Sequence, residues 1–381
     1  MSCNQACVNR ADEAIRLLKR LTNFNSNLGA GGAAIPYASI TQFNAASQIE
    51  RETFGTTANV FLKMAYNKRL QMVDLRMADR ASAQTNVDWN RGKLQFFYGP
   101  NAVTADNPLA DDATNNGNVR RSVHSVPTTI DGSGGITAYA VPQRQDYTYD
   151  ELNRILSATE NQMPTGGAYQ ASASQTFGYD RFGNRAITGV SGPVNGLSLT
   201  FNPANNRIST ANYGFDAAGN LTNENGNSRT YDAENRISSA TGGSYVYDGD
   251  GKRVKRTASG QTWCYVYGIG GELLAEYLST APAPTAPTKQ YDYQGGKLLV
   301  TAEGVTLKWL VSDHLGSTRM EVAKAGSLAS VTRHDYMPFG EESYAGIRRS
   351  GNTGMYGYES QPPASSTRQR FGGYERGVNS P

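Results

Sequence analysis

From about residue 59 onward, short aromatic or β-branched runs alternate with polar turn clusters, and this alternation organises the chain. Runs such as Trp263-Cys264-Tyr265-Val266-Tyr267 are too short for stable helices and rich in residues that fit a pleated surface. The one helical pattern is at 8–24, where Val8, Ala11, Ile15 and Leu18 share a face that Leu17, Leu21 and Phe24 widen. Asp12 and Glu13 stand early and Lys19 and Arg20 late, as a helix dipole favours, before Gly29-Ala30-Gly31-Gly32 breaks the pattern. Segments 104–118, 127–135 and 280–288 read as exposed loops, the last with polyproline-type composition. The pattern predicts an N-terminal segment over 1–58, a continuous β region over 59–345 and a poorly structured tail over 346–381.

Within the β region one unit recurs. Five copies are Tyr149-Asp150-Glu151-Leu152-Asn153, Tyr179-Asp180-Arg181-Phe182-Gly183, Phe215-Asp216-Ala217-Ala218-Gly219, Tyr231-Asp232-Ala233-Glu234-Asn235 and Tyr247-Asp248-Gly249-Asp250-Gly251. A sixth is Phe201-Asn202-Pro203-Ala204-Asn205. The starts at 215, 231 and 247 are sixteen residues apart. The aromatic residue ends a strand and supplies a large ring to bury. The Asp or Asn after it accepts a hydrogen bond from the backbone two residues on, which starts a turn. The fifth position is Gly or Asn in every copy, the residues that tolerate the positive φ closing such a turn. A polar and then an aliphatic residue follow, as in Arg154-Ile155, Asn220-Leu221, Arg236-Ile237 and Arg253-Val254, and open the next strand. Each unit is a β-hairpin, and stacked hairpins bury one another's faces.

Composition agrees with many short strands and tight turns: Gly is 41 residues, Tyr 22, and charged residues are only 18%. The net charge of +3 comes from scattered basic residues, which gives no concentrated face for nucleic acid. Three cysteines, Cys3, Cys7 and Cys264, do not define a disulfide framework, and no Cys/His spacing suggests a metal. No apolar run approaches the roughly 20 residues of a membrane-spanning helix. The start lacks the basic and apolar regions of a secretory signal.

The repeated residues resemble the YD repeat of bacterial RHS proteins and of the teneurin shell. Trp309-Leu310-Val311-Ser312-Asp313-His314-Leu315-Gly316-Ser317-Thr318-Arg319 is similar to the RHS-associated core motif. Arg333-His334-Asp335-Tyr336-Met337-Pro338-Phe339-Gly340 resembles the Tyr-x-Pro-Phe-Gly element that follows it. The core-motif positions are thus Asp313, His314, Gly316, Arg319, Pro338, Phe339 and Gly340. Tyr66-Asn67-Lys68-Arg69-Leu70 reads as a degenerate copy, and nothing in the first 58 residues matches. The resemblance implies an all-β fold, a hairpin strip wound into a shell or part of one. It implies an exported or cell-surface bacterial polymorphic toxin whose shell encloses a C-terminal toxin polypeptide, freed by an aspartic self-cleavage site. Here Phe371-Gly372-Gly373-Tyr374-Glu375-Arg376 approaches that terminal motif, but Gly377 stands where an Asp is usual.

Catalysis has few candidates. Asp313, His314 and Ser317 are neighbours in sequence, whereas triad members converge from different segments, so a turn is the better reading. Gly268-Ile269-Gly270-Gly271 lacks the third Gly and the helix of a dinucleotide fingerprint, and reads as a hairpin loop. Asp248, Asp250 and Glu224 do not have EF-hand spacing. Neither catalytic residues nor a cofactor are assigned. Three functions remain open. One is a shell segment that holds or presents a toxin, with apolar and aromatic side chains lining its interior. The others are a recognition module for cell-surface glycans or proteins and a truncated remnant without independent activity. The expected partners are the remainder of a shell, a toxin polypeptide or a surface glycan.

Overall fold

The computed structural model describes residues 38–343, apart from 56–59, 82–86, 111–112, 140–142, 163–169, 193–195, 197, 279–286, 295, 305, 324–330 and 341. The helix expected at 8–24, Cys3, Cys7 and the tail from 346 lie outside the described residues, as does most of 280–288. The described chain is almost entirely antiparallel β-sheet and forms two compact units, a larger one from 38–198 with 310–343 and a smaller one from 199–309.

The larger unit begins with β1 (Ala38–Phe43), β2 (Ile49–Phe54), β3 (Val60–Tyr66), β4 (Met72–Ala78) and β5 (Gly92–Tyr98). A single-turn helix α1 (Pro100–Thr104) precedes β6 (Val119–Ser125), β7 (Pro127–Ile130) and β8 (Ile136–Tyr139). Then come β9 (Gln143–Tyr149), β10 (Ile155–Gln162), β11 (Gln170–Tyr179) and β12 (Arg185–Ser191). Ten of these strands make one sheet in sequence order, with the β7–β8 hairpin inserted between β6 and β9. Strands therefore start ahead of residue 59, and the expected exposed loop at 127–135 is a hairpin. The reason is local: Asp131 Oδ1 accepts the Ser133 and Gly135 N–H groups, and Gly134 turns at φ 85°. The loop expected at 104–118 is largely exposed among its described residues, apart from Asn115, which is buried and donates to Gln71 Oε1 at 2.7 Å.

The smaller unit runs through β13 (Tyr213–Phe215), β14 (Leu221–Glu224), β15 (Asn227–Tyr231), β16 (Ile237–Ala240), β17 (Gly243–Tyr247) and β18 (Arg253–Ala258). It continues with β19 (Gln261–Tyr267), β20 (Leu273–Leu278), β21 (Lys289–Gln294), β22 (Lys297–Glu303) and the first residues of β23 (Thr306–Ser312). Each strand pairs antiparallel with its neighbour in sequence. After β23 the larger unit resumes with β24 (Thr318–Ala323), β25 (Thr332–Arg333), β26 (Asp335–Tyr336) and β27 (Glu342–Ser343).

The repeat turns share one geometry. In the 231 copy the Asn235 N–H donates to Asp232 O at 3.1 Å and the Asp232 N–H to Arg236 O at 2.9 Å. The Asp232 carboxylate caps the Glu234 and Arg236 N–H groups at 2.9 Å each. The closing residue is left-handed throughout: Asn153 φ 62°, Gly183 86°, Gly219 95°, Asn235 60° and Gly251 77°. The register slips by one residue beside each turn, so Tyr231 faces Ile237 and Thr230 faces Ser239. In the 201 copy the left-handed residue is Asn206 (φ 56°) rather than Asn205, because the Asn202 N–H reaches Arg207 O and the loop holds one residue more. Strand opening also differs at one place: Tyr247 faces Arg253, so the strand starts there rather than at Val254.

The core of the larger unit lies under β4 and β5. Alternation along Met72–Ala78 sends Val73, Leu75 and Met77 to one side, all essentially buried, where Leu94 and Phe96 of β5 are buried too. Each such side chain contributes roughly 1.5–3 kcal/mol by leaving water.

Candidate functional site: a repeat spine and a buried polar seam

Two arrangements stand out. The first is a spine along the turn edge of the sheets. Hairpins alternate ends, so within each sheet every second connection falls on the same edge, and the repeat turns of that sheet lie there. Each repeat tyrosine donates its hydroxyl to the carbonyl of a strand opened earlier: Tyr179 to Ile155 at 2.7 Å, Tyr231 to Leu221 at 2.7 Å, Tyr247 to Ile237 at 2.9 Å and Tyr267 to Arg253 at 3.0 Å. In the copies where the turn is followed by a basic residue rather than by Asn184 or Asn220, that residue reaches forward. Arg154 sits over the Tyr179 ring at 4.4 Å, Arg236 over Tyr247 at 5.1 Å and Arg207 over Phe215 at 5.6 Å. That residue is itself gripped by its own turn, since Arg154 Nε donates to Asp150 Oδ2 at 2.6 Å and Arg236 Nε to Asp232 Oδ2 at 2.8 Å.

These contacts act on the turn carboxylates. Desolvation opposes charge at Asp150, but the Arg154 backbone and side-chain bonds outweigh it and hold the carboxyl below its usual range. Bonds from Asn184 lower Asp180 and bonds from Asn220 lower Asp216. The Arg236 N–H does the same for Asp232.

Further turns carry this geometry with altered residues. Gly268 stands where Asp is usual, and Gly271 closes at φ 88° between β19 and β20, so the glycine cluster is a hairpin turn. Leu70 closes the degenerate 66 copy at φ 63°, a conformation that an L side chain resists. Asn44 and Ser47 (φ 62°) make the same turn between β1 and β2. Sequence reading missed that one because Ser closes it and Phe43-Asn44 stands alone.

The second arrangement is a seam beneath the core motif. Asp313 makes a repeat-type turn: its Oδ1 accepts the Leu315 and Ser317 N–H groups at 3.0 and 2.9 Å, and Gly316 closes at φ 81°. Its Oδ2 accepts Arg319 Nε at 2.8 Å, so both carboxylate oxygens are engaged. His314 packs edge-on against Phe96 at 4.8 Å rather than forming a triad with its neighbours. Beyond this turn β24 pairs with β25, and residues 331–340 lie against one face of the large sheet as a strap. Arg333 donates to Arg91 O at 2.7 Å, His124 Nδ1 meets Asp335 Oδ1 at 2.9 Å, and Phe339 meets Phe177 edge-on at 4.9 Å. Arg185 lies over Phe339 at 3.8 Å, and Gly340 closes a turn begun at Met337, with Pro338 inside it.

Charge runs through the seam in pairs. Arg319 bridges Asp313 and Asp335, and His334 Nε2 meets Glu321 Oε1 at 3.1 Å with both residues fully buried. Burial disfavours the Arg319 charge, but the two aspartates outweigh it and hold the guanidinium above its ordinary value. Burial, aided by Arg91 and opposed by Asp335, lowers Arg333 to about 10. The sheet face below is polar: Ser122, Gln145 and Tyr147 hydrogen-bond together, beside buried Glu160 and Gln175. In the smaller unit Arg256, Glu276 and Lys289 are buried as well. An all-apolar lining is therefore not what alternation produced; hydrogen bonds and ion pairs let polar side chains take interior positions. Among the described residues no group of three or more acidic, His or Cys side chains is placed to hold a metal ion, and no helix is long and apolar enough to cross a membrane.

Comparison with solved structures finds toxin complexes. A mutant Tc holotoxin pore of Photorhabdus luminescens matches with a TM-score of 0.58 and 17% identity, over 91% of this chain and 17% of that one. The crystal structure of TcdB2-TccC3 matches with a TM-score of 0.61 and 20% identity, over 92% and 18%. That of TcdB2-TccC3-Cdc42 gives 0.58 and 18%, over 92% and 17%. The chain thus spans less than a fifth of the solved chains it matches, and at this identity the likeness shows the fold. No family model matches the chain, and no curated protein matches its sequence.

Proposed function

We propose that the chain is a wall segment of an RHS-type shell, non-catalytic itself, that encloses or presents a toxin polypeptide. The observation that carries this is the spine: Tyr179, Tyr231, Tyr247 and Tyr267 each staple a hairpin to the one before it by a hydroxyl, and Arg154 and Arg236 each stack on the tyrosine ring of a following copy. Such a unit adds to itself without limit and makes an extended wall rather than a closed core. The fold likeness to chains of Tc toxin complexes supports the same reading, since these are toxin assemblies by name. In this reading residues 59–345 are the wall proper, joined by β1 and β2 ahead of it. The turns at Tyr149–Asn153, Tyr179–Gly183, Phe215–Gly219, Tyr231–Asn235 and Tyr247–Gly251 are its staples. Asp313, His314, Gly316, Arg319, Pro338, Phe339 and Gly340 hold the strap. The partners are the remainder of a shell and the polypeptide inside it.

A protease-sensitive, unfolded reporter fused after Pro381 tests this. Trypsin should cut the reporter much more slowly than when it is fused to an unrelated β-protein. Equal cutting rates, together with images of a solid particle lacking an internal space, would reject the proposal.

A further inference from the structure

We infer that the turn edge of the larger sheet is a self-complementary interface, along which a second copy of this chain packs about a two-fold axis. The inference goes beyond the wall reading and holds whatever the wall encloses. It starts from exposure. Among the described residues eleven large apolar side chains are exposed, and five of them lie along this one edge. They are Phe43, Leu70, Leu109, Leu152 and Phe182, each between 50% and 72% exposed. The edge consists of the β1–β2, β3–β4, β5–β6, β9–β10 and β11–β12 connections, one for every two strands. Its tips are therefore about 10 Å apart.

Single exposed apolar residues are ordinary, but these are not asked for by the turn that carries them. The turns of the smaller unit have the same hydrogen bonds and left-handed closure, yet place Ala218, Glu234 and Asp250 where Leu152 and Phe182 stand. Burial against a partner supplies the missing reason. The edge is also continuous. Gln48 Nε2 donates to Leu70 O at 2.8 Å, which joins the first turn to the second. Arg69 Nη1 donates to Asn115 O at 2.8 Å, which joins the second to the third. Asn116 and Asn118 both donate to Asn153 Oδ1, at 2.8 and 2.9 Å, and Arg154 reaches on to the Tyr179 ring beside the fifth.

The order of charge identifies the partner. Glu50 stands beside the first turn, Lys68 and Arg69 on the second, Glu151 on the fourth and Arg181 on the fifth. Signs are thus opposite at equal distances from the third connection. A two-fold axis through Leu109 sets Lys68 against Glu151 of the second copy, and Arg181 against Glu50. The same axis opposes Leu70 to Leu152, Phe43 to Phe182 and Leu109 to its own copy. Other acids on the edge are engaged already: Asp150 by Arg154, Asp180 by Asn184 and its turn amides, Asp106 by Arg121 at 3.5 Å. Glu151 makes no ion pair among the described residues. A charge pattern that inverts about its centre fits a copy of itself. Four steps of about 10 Å give a margin about 40 Å long, on the order of 600 Å² per partner, which is the low end for a stable dimer.

Sedimentation equilibrium of the full chain tests this, and the natural chain should dimerise in the micromolar range. Leu152→Ser should weaken the dimer about tenfold or more, since it removes an apolar anchor from both halves of a symmetric contact. Glu151→Arg and Lys68→Glu should each weaken it as well, because each sets like charges together twice. Mixed one to one, those two variants should recover the natural dissociation constant to within about threefold, since every junction again holds both signs. The substitutions leave the backbone bonds of the turns in place, and an unaltered circular-dichroism spectrum verifies that each variant folds. A natural chain that stays monomeric at about 0.1 mM overturns the inference, and flotation of that monomer with phosphatidylcholine vesicles would assign the row to lipid instead. A dimer that the variants leave intact, or charge variants that fail to rescue each other, overturns it equally.

Discussion

The two units use the same hairpin but stabilise it differently. In the smaller unit β13–β17 are three to five residues long, and many of their residues are half-buried or exposed. Stability of those five strands comes from contacts between sequence neighbours, above all the spine, whereas β19–β21 also bury Tyr265, Leu273 and Tyr291 together. In the larger unit β4 and β5 are seven residues each and largely buried, and the strap ties residues more than 200 positions apart. The comparison teaches that a repeat fixes a local rule for pairing, whereas a single distant segment fixes how a stretch of strip is covered. The first is stable in small equal increments. The second is concentrated in a few buried charges.

That difference can be broken at its strongest point first. Asp335→Ala leaves His124, Arg319 and Arg333 without a shared carboxylate in a buried site, and removal of one partner of a buried pair costs about 3–5 kcal/mol. Urea unfolding resolved by hydrogen exchange should show the larger unit losing that stability while 213–258 keeps its own. Next come Gly183→Val and Gly219→Val, one in each unit. A Cβ at Gly183 meets nothing within 4 Å, and at Gly219 only the Arg207 guanidinium, the far end of a flexible side chain, at 3.0 Å, so the cost is that of the backbone. Each should lose about 1–2 kcal/mol, and a large inequality between them would show that the turns are not equivalent staples. Tyr231→Phe removes one hydroxyl bond to Leu221 O and should cost about 0.5–1.5 kcal/mol in thermal unfolding, without disturbing the larger unit. Smallest and opposite in sign, Leu70→Gly relieves a left-handed leucine that is half exposed. Its gain should be about 0.5–1 kcal/mol, because glycine's greater freedom in the unfolded chain offsets part of the relief.

The all-β hairpin fold was legible because its rule is local. Tyr231, Asp232 and Asn235 lie within five residues, and pairing, capping and positive φ are settled among them. Where the local signal is weak the reading slipped. Ser47 closes a turn without being Gly or Asn, and Asp131 sits in a glycine-rich stretch that looks like loop. The seam was legible on its motif side, where Asp313, Arg319 and Asp335 stand in the quoted motifs, but not on the sheet side. His124 stands in Ser122-Val123-His124-Ser125, which reads as an ordinary strand, and its partner Asp335 is 211 residues away. Nor does strict alternation announce Glu160 and Gln175, since a polar residue at an inward position reads as a face error until its neighbours are known.

The sixteen-residue spacing has a consequence for how such a protein changes over generations. The 215, 231 and 247 units each accept a tyrosine hydroxyl from the turn that follows, from Tyr231, Tyr247 and Tyr267, so successive junctions are alike. A gene that duplicates or deletes one unit rejoins the same pair of surfaces it separated. Length can therefore drift by whole units with no compensating substitution, while an insertion of any other size must be absorbed at the opposite margin, where the connections already vary.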